Sequence, residues 1–266
     1  MLDQFNRKIT YLRISVTDRC NLRCTYCMPP EGRTLVSSSD ALSFEEIFEF
    51  TSVAVKMGIN KVRLTGGEPL VRRGIVKLVS MLAGIKGISD LSMTSNGILL
   101  VQYANDLAEA GLDRINISLD TMNPARYRQI TRAGDINDVL AGIEAAESAG
   151  LVPIKLNCVV NRSRHEADAK QVAMFAELKG LDVRFIRKMD IAAGRFWPVD
   201  GGRGGHCRLC NRLRLSSEGF LRPCLFSDLA FSVRKLGPRG AVKQAVAAKP
   251  ETGQKSRKNS FYYIGG

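Results

Sequence analysis

The chain has 266 residues, of which 45% are hydrophobic, and its formal net charge at pH 7 is +13. Its seven cysteines do not fit a disulfide framework, which is typical of short secreted proteins. The first residues form no charged-then-apolar signal, and no run of about 18 apolar residues could span a membrane. We therefore expect a cytoplasmic protein whose cysteines are reduced.

The positive charge is concentrated in the last quarter of the chain. Residues 1–200 carry a net charge of +3, whereas residues 201–266 carry 13 basic and 3 acidic residues. A concentration of positive charge of this kind favours binding to nucleic acid, a membrane surface or a polyphosphate. RNA binding would normally interleave aromatic residues with the basic ones, but Phe220 is the only aromatic residue between Cys207 and Cys224. The sequence therefore favours a small phosphorylated ligand, without stable binding of nucleic acid or membrane.

The first predicted strand, residues 12–16, leads into a group of three cysteines. Cys20, Cys24 and Cys27 have C-x3-C-x2-C spacing. Four thiolates would saturate a four-iron cluster, so three leave one iron open to bind and activate a ligand. Zinc sites favour paired C-x2-C units instead. The motif therefore predicts a catalytic iron–sulfur cluster at the end of a strand.

Five further strand-like runs follow, with amphipathic helical stretches between most of them. The runs cover residues 62–65, 91–95, 115–119, 154–160 and 183–187. The clearest helical stretches are residues 44–55, 103–110 and 136–149. The first of these has Ser43 or Ser39 as its N-cap and Gly58 as its stop signal. Alternating strands and helices predict an α/β protein with an open, partial parallel βα barrel of about six βα units, too few for a closed barrel.

Polar residues follow the predicted strands. After the second strand, Gly66, Gly67 and Glu68 form a turn whose backbone could approach an amino-acid head group. The other predicted strands contribute residues 94–97, 118–120, Lys155 and 187–189. Because the carboxyl ends of parallel strands share one edge, these residues predict a functional site there.

A second set of cysteines lies near the other end of the chain. Cys207 and Cys210 form a C-x2-C pair, and thirteen residues separate Cys210 from Cys224. A zinc site completed by His206 and a second iron–sulfur cluster both fit this spacing, so the residues alone leave the two open. Cys158 lies in an apolar run and is predicted to be a packed core thiol.

The change in charge and cysteine content suggests two regions. We assign residues 1–200 to the partial-barrel domain. Residues 201–266 form a small basic C-terminal region that contains the second cysteine set. The glycines at 201–205 are expected to form a flexible connector, because no helix start follows them.

Four stretches of the chain carry a resemblance to a known family. They are residues 12–29, 63–70, 207–225 and 264–266. The first cysteine motif resembles the radical S-adenosylmethionine superfamily. All four together resemble the GTP 3′,8-cyclase family, which performs the first step of molybdenum-cofactor biosynthesis. The likeness runs from about residue 5 to the last residue.

The resemblance implies a lyase with two 4Fe–4S clusters, S-adenosylmethionine as cofactor and GTP as substrate. The cluster ligands would be Cys20, Cys24 and Cys27 for the first cluster and Cys207, Cys210 and Cys224 for the second, so the resemblance favours a second cluster over zinc. The cofactor would contact Tyr26, Gly66, Gly67, Glu68, Ser118 and Met189. GTP would contact Arg13, Lys61, Arg63, Thr94, Lys155, Arg184, Arg212, Leu213 and Arg214. The catalytic residues would be Arg13, Lys155, Gly265 and Gly266.

The resemblance also implies the reaction and its partners. In the family reaction, a 5′-deoxyadenosyl radical takes hydrogen from the ribose C3′ of GTP, and the C3′ radical attacks guanine C8. The product is (8S)-3′,8-cyclo-7,8-dihydroguanosine 5′-triphosphate. An external electron donor, a homodimer and a downstream cyclic pyranopterin monophosphate synthase are the implied partners.

Three features depart from the family pattern. Residues 190–206 form a connection that is several tens of residues longer in typical relatives. Arg187 stands where relatives usually have an acidic residue, and residues 261–263 stand where a methionine is usual. These departures keep two alternatives open. One is a two-cluster radical paralogue acting on another nucleotide or a peptide, and the other is a non-enzymatic iron–sulfur or nucleic-acid-binding protein.

Overall fold

The structure is a computed structural model that describes residues 1–29, 35–37 and 39–264 of the chain. Two of the predicted catalytic residues, Gly265 and Gly266, lie outside the described residues.

Nine strands of the described residues form one open sheet in the order β6-β5-β4-β3-β2-β1-β7-β8-β9. The strands are β1 (Tyr11–Ser15), β2 (Lys61–Thr65), β3 (Asp90–Ser95), β4 (Arg114–Ser118), β5 (Lys155–Val160), β6 (Asp182–Arg187), β7 (Arg212–Leu215), β8 (Phe220–Arg222) and β9 (Phe231–Ser232). Strands β1 to β7 pair in parallel, and β8 and β9 extend the sheet in antiparallel pairs. The prediction of an α/β fold with an open parallel sheet is confirmed.

Helices cover one face of this sheet. They are α1 (Phe44–Lys56), α2 (Ile75–Ala83), α3 (Leu100–Glu109), α4 (Pro124–Thr131), α5 (Ile136–Ser148), α6 (Ala167–Leu178) and α7 (Val233–Ala247). A single turn, α8 (Phe261–Ile264), packs apart from this core, with Ile264 in a small cluster with Leu225 and Phe226. Helix α1 begins at Ser43, whose hydroxyl accepts a hydrogen bond from the Glu46 amide at 3.1 Å, while the Glu46 carboxylate accepts one from the Ser43 amide at 2.7 Å. This capping box shows why Ser43, and not Ser39, starts the helix. No helix of the described residues is long and apolar enough to cross a membrane.

Side chains alternate between the two faces of the sheet. On β1, Leu12 and Ile14 are fully buried in the hydrophobic core beneath the helices, whereas Arg13 lines a cavity on the opposite face. Cys158 on β5 is also fully buried in the core, which confirms its prediction as a packed thiol. The period of two along each strand therefore separates an apolar core from a polar inner face.

The C-terminal region continues the same sheet. Strand β7 pairs in parallel with β1, with Arg214 beside Arg13 in the register. The sequence gives little sign of β7, because two of its four residues are arginines. The predicted boundary after residue 200 stays a prediction, since the sheet runs on across it.

The connection between β6 and the second cysteine set packs closely against its surroundings. Asp200 and Phe185 exchange two backbone hydrogen bonds of 2.9 and 3.1 Å. Gly205 has a positive φ of 76°, and a Cβ there would lie 2.1 Å from the Trp197 carbonyl oxygen. The glycines at 201–205 thus allow a tight packing of the backbone, in contrast to the expected loose connector, and a short 3-10 helix (Cys207–Leu209) follows them.

Candidate functional site

A cavity of about 330 Å³ lies on the polar inner face of the sheet and brings both cysteine sets together. All six predicted cluster ligands line it: Cys20, Cys24, Cys27, Cys207, Cys210 and Cys224. The predicted cofactor contacts also line it: Tyr26, Gly66, Gly67, Glu68, Ser118 and Met189. Of the predicted GTP contacts, it is lined by Arg13, Thr94, Arg212 and Arg214. Residues almost 200 positions apart in the sequence therefore share one enclosed space.

The Gly66–Gly67 turn is fitted against the backbone of the first cysteine loop. The Gly67 amide donates a hydrogen bond to the Thr17 carbonyl and the Glu68 amide donates one to the Arg19 carbonyl, both at 2.8 Å. A Cβ on Gly67 would lie 2.2 Å from the Arg19 carbonyl oxygen, and one on Gly66 would lie 2.5 Å from that of Thr17. The close approach of the cysteine loop therefore explains why both positions are glycine.

Glu68 links three loops at the carboxyl edge of the sheet. Its buried carboxylate accepts hydrogen bonds from the Leu70 amide at 3.1 Å, the Ser95 hydroxyl at 2.9 Å and the Asn96 amide at 2.7 Å. Asn96 in turn donates from its side chain to Asn21 Oδ1 at 2.8 Å, next to Cys20. Burial raises the pKa of Glu68 to about 7, against the opposing effect of these hydrogen bonds. The network fixes the cysteine loop to the ends of β2 and β3.

Tyr26 is positioned by a second buried carboxylate. Its hydroxyl donates to Asp120 Oδ2 at 2.8 Å, and the Val159 amide donates to Asp120 Oδ1 at 2.8 Å. Burial raises the pKa of Asp120 to about 6 and that of Tyr26 well above its ordinary value. Asp120 thus holds the tyrosine between two cysteines of the first set and the end of β5.

Two arginines, Arg13 and Arg214, lie on the floor of the cavity, and Arg63 lies beside them outside its lining. Arg13 on β1 lies in register with Arg63 on β2 and Arg214 on β7, and all three are at least nine-tenths buried. Burial lowers the pKa of Arg13 well below its ordinary value, and the charges of Arg214 and Arg63 lower it further. Burial and the neighbouring Arg212 lower the pKa of Arg214 to about 10. Buried like charges of this kind are stabilised by a polyanion.

Further cations lie beyond this floor. Burial is the main cause that lowers the pKa of Arg63, and the charges of Arg114 and Arg184 add to it, so these three guanidinium groups are neighbours. Thr94 Oγ1 is a buried atom without a hydrogen-bond partner among the described residues, and Thr94 lines the cavity. An orphaned hydroxyl beside a group of cations fits a polar, anionic ligand.

Not every predicted GTP contact reaches the cavity wall. Lys61 is exposed at the start of β2, Lys155 at the start of β5 forms an ion pair with Asp182, and Arg184 lies on β6. The Leu213 side chain is fully buried in the hydrophobic core on the other face of the sheet. Any contact between Leu213 and a ligand would therefore involve its backbone.

The second cysteine set is held by cations that the sequence did not single out. Arg7 donates to the carbonyl oxygen of Cys207 at 2.8 Å and forms a buried ion pair with Asp3 at 2.6 Å. The ammonium group of Lys249 lies beneath Cys210 and Cys224. Burial raises the pKa of the Cys210 thiol, but the charges of Lys249 and Arg212 outweigh it and bring the pKa to about 6. The environment therefore favours a ligating thiolate.

The donor sets fit iron–sulfur clusters. All six cysteines are thiols that lie half-buried along the cavity wall, in two sets of three. Within the described ranges, no group of three or more His, Cys, Asp or Glu side chains is arranged to hold a single metal ion. Three thiolates would leave one iron of a four-iron cluster open to bind a ligand.

An open parallel sheet with three cysteines at the end of β1 defines a class of protein. Residues 14–176 match the family model described as the Radical SAM superfamily, which covers more than half of the chain. Radical S-adenosylmethionine chemistry is thus the class to which the fold and the first cysteine set belong, and the protein is an enzyme that uses S-adenosylmethionine and a 4Fe–4S cluster.

Sequence relatives identify the family within this superfamily to which the chain belongs. A protein of Moorella thermoacetica named GTP 3′,8-cyclase is 42% identical over 93% of this chain and 91% of its own length. One of Thermodesulfovibrio yellowstonii with the same name is 40% identical over 92% of this chain and 91% of its own. Within the radical superfamily, the chain belongs to the GTP 3′,8-cyclase family.

A third relative shows the predicted difference in length. The alignment with a GTP 3′,8-cyclase of Peptoclostridium acidaminophilum runs over 322 positions at 38% identity, yet it covers 100% of this 266-residue chain and 98% of the relative. Several tens of those positions therefore have no counterpart here. Their predicted location before Cys207 stays a prediction.

Solved structures are similar in fold. Methylornithine synthase (PylB) superposes with a TM-score of 0.57 at 17% identity, over 70% of this chain and 55% of its own. HydG, a maturase of the [FeFe]-hydrogenase, superposes with a TM-score of 0.55 at 16% identity, over 69% of this chain and 44% of its own. The chain thus spans about half the length of these two structures, and the likeness establishes the fold alone.

Proposed function

We propose that this chain is a two-cluster GTP 3′,8-cyclase that joins the ribose C3′ of GTP to guanine C8. The observation that carries this proposal is the single cavity lined by both cysteine sets and by Arg13, Arg212 and Arg214. When bound, the cluster at the first set supplies the electron that cleaves S-adenosylmethionine reductively. The second set would hold a second 4Fe–4S cluster, since its thiols lie among positive charges on the same cavity wall.

The residues of the cavity would bind and orient the two small molecules. A triphosphate carries about four negative charges, which guanidinium groups can meet with paired hydrogen bonds. Arg13 and Arg214 would bind it from adjacent strands, while Ser118 and Met189 would contact S-adenosylmethionine. Fixing both ligands in one enclosed space brings the reacting atoms together and excludes water.

The predicted catalytic roles of Lys155, Gly265 and Gly266 remain part of the proposal. Lys155 already forms an ion pair with Asp182 at the start of β5 and β6. Its role would therefore require the ammonium to exchange that carboxylate for a phosphate.

The proposed setting and partners follow from this chemistry. Seven cysteines in the thiol form fit a reducing, cytoplasmic compartment. We propose an external electron donor for the clusters, cyclic pyranopterin monophosphate synthase as the enzyme that receives the product, and a homodimer as the assembly.

The alternative of a peptide substrate is not favoured. Arg13, Arg63 and Arg214 are buried side by side, and an ordinary peptide offers no concentrated charge to balance them. Neighbouring buried cations favour a ligand with concentrated negative charge, so the floor of the cavity suits a polyphosphate.

The test is a mass-resolved product analysis of the full chain, reconstituted without oxygen and supplied with S-adenosylmethionine, a strong reductant and GTP. A product isobaric with GTP, formed together with 5′-deoxyadenosine, would support the cyclase. If 5′-deoxyadenosine forms with both clusters loaded but GTP is unchanged, the radical chemistry stands and the GTP assignment fails.

Two arginine variants sharpen the assay. Replacing Arg214 by Gln removes a buried charge from the cavity, and lost hydrogen bonds to a charged group cost about 1.5–3 kcal/mol. We therefore expect kcat/KM for GTP to fall roughly 10–100-fold. Arg239, exposed on α7, is the matched control, and Arg239→Gln should leave kcat/KM unchanged.

A further inference from the structure

Lys249 is a buried lysine at the base of the second cysteine set. It follows the end of α7 and is only 1% exposed. Its ammonium group donates hydrogen bonds to the carbonyl oxygens of Arg212 and Pro223, both at 2.7 Å. Burying a lysine is costly unless its charge and its donors are matched, so this side chain requires an explanation.

The two carbonyl groups lie directly beside cluster ligands. Arg212 begins β7, two residues after Cys210, and Pro223 follows β8, one residue before Cys224. Strands β7 and β8 form an antiparallel pair, so both cysteines stand at its open end. A single ammonium group thus ties together the two backbone segments that set the separation of these thiols.

The charge of Lys249 has no carboxylate partner within the described part of the chain. Burial lowers its pKa, whereas the thiolates of Cys210 and Cys224 raise it, and Arg7 is the neighbouring charge that lowers it further. The negative charges near Lys249 are therefore those of the Cys210 and Cys224 sulfur atoms and of whatever these atoms bind.

We propose that Lys249 is a positioning residue for the second iron–sulfur cluster. It would fix the hairpin end that carries Cys210 and Cys224, and its charge would balance that of the ligated cluster. This inference rests on the proposed second cluster. Residues that hydrogen-bond to metal ligands without binding the metal typically contribute about 10–100-fold to metal affinity.

The test uses the full chain with Cys20, Cys24 and Cys27 replaced by Ala, so that only the second cluster can form. In this background Lys249→Met removes the charge at similar length, and Lys249→Arg keeps it. Lys243→Met, on the exposed side of α7, is the matched control. The measurements are iron per chain, the rate of iron release to a chelator, and the reduction potential of the cluster.

Lys249→Met should release iron at least about tenfold faster and have a more negative reduction potential, because a nearby cation stabilises the reduced cluster. Lys249→Arg should keep a potential close to that of the background, and Lys243→Met should change neither quantity. Equal release rates and potentials for Lys249→Met and the background would overturn the role of Lys249 while the second cluster stands. A background protein that binds no cluster would instead overturn the proposed cluster itself.

A second measurement does not depend on the Lys249 variants folding. With ¹⁵N-labelled lysine in the background protein, pulsed electron paramagnetic resonance of the reduced cluster should detect a lysine nitrogen coupled to it. The absence of such a coupling from a fully loaded cluster would overturn the inference.

Discussion

Replacing Gly67 by Ala should displace the first cysteine loop. A Cβ at this position would lie 2.2 Å from the Arg19 carbonyl oxygen and 2.8 Å from that of Asp18. Both neighbours are backbone atoms and cannot rotate away, so the loop or the turn has to move. The substitution therefore tests directly whether the turn and the loop are fitted to each other.

The expected magnitude follows from the contacts. Overpacking typically costs about 1–3 kcal/mol. The hydrogen bonds from the amides of residues 67 and 68 to the loop would also weaken, at about 0.5–1.5 kcal/mol each. We expect a loss of roughly 2–6 kcal/mol in the free energy of unfolding and a fall in melting temperature on the order of 10 °C.

The assay combines thermal unfolding of the metal-free chain with iron loading of the first cysteine set. Iron loading should be measured with Cys207, Cys210 and Cys224 replaced by Ala, so that only the first cluster contributes. Gly240→Ala is the matched control, because a Cβ there meets its nearest neighbour at 3.5 Å within α7. It should be neutral or stabilise the chain by up to about 1 kcal/mol. Unchanged melting temperature and iron content in Gly67→Ala would refute the argument.

Three further predictions concern buried charges. Arg7→Met leaves the Asp3 carboxylate buried without its partner, and should cost about 3–5 kcal/mol in denaturant unfolding. Burial raises the pKa of Glu68 from an ordinary 4.5 to about 7, so the folded state retains a proton that the unfolded state releases. Stability should therefore fall as the pH rises from about 4.5 to about 7, and Glu68→Gln should flatten this part of the profile in unfolding experiments. Inorganic tripolyphosphate should raise the melting temperature of the metal-free chain by relieving the repulsion between Arg13 and Arg214, and less so in Arg13→Gln.

Each of these three predictions could be contradicted by a particular result. The first prediction would be contradicted if Arg7→Met unfolded at the same denaturant concentration as the parent, with the same slope. An identical pH profile in Glu68→Gln would assign the titration to another group, such as Asp120, whose pKa burial also raises. Equal stabilisation of the parent and Arg13→Gln by tripolyphosphate would place the anion elsewhere on this basic chain.

The sequence was sufficient for the parallel half of the fold. Apolar residues of period two, followed by glycines and helical stretches, located β1 to β6 to within one residue at either end. The cysteine spacing and the Gly66–Gly67 turn located the first half of the site, because both lie directly at strand ends. These features are local, so a single sequence displays them.

The remaining features depend on pairing between distant segments. Strand β7 is short and half basic, and only its place beside β1 makes Arg212 and Arg214 neighbours of the residues near position 13. Lys249 resembles any lysine after a helix until the hairpin end of β7 and β8 is seen above it. The alternation of faces likewise separates Leu213 from its two arginine neighbours, which a motif alone does not reveal.

The position of β7 also has a consequence for how the protein is made. When the ribosome has completed residue 200, strands β1 to β6 are present, but the side of β1 that later pairs with β7 is still open. An unpaired inner strand is a template for pairing with other chains. During synthesis, the nascent enzyme must therefore protect this edge until its last quarter emerges, and premature termination near residue 200 would yield a species prone to aggregation.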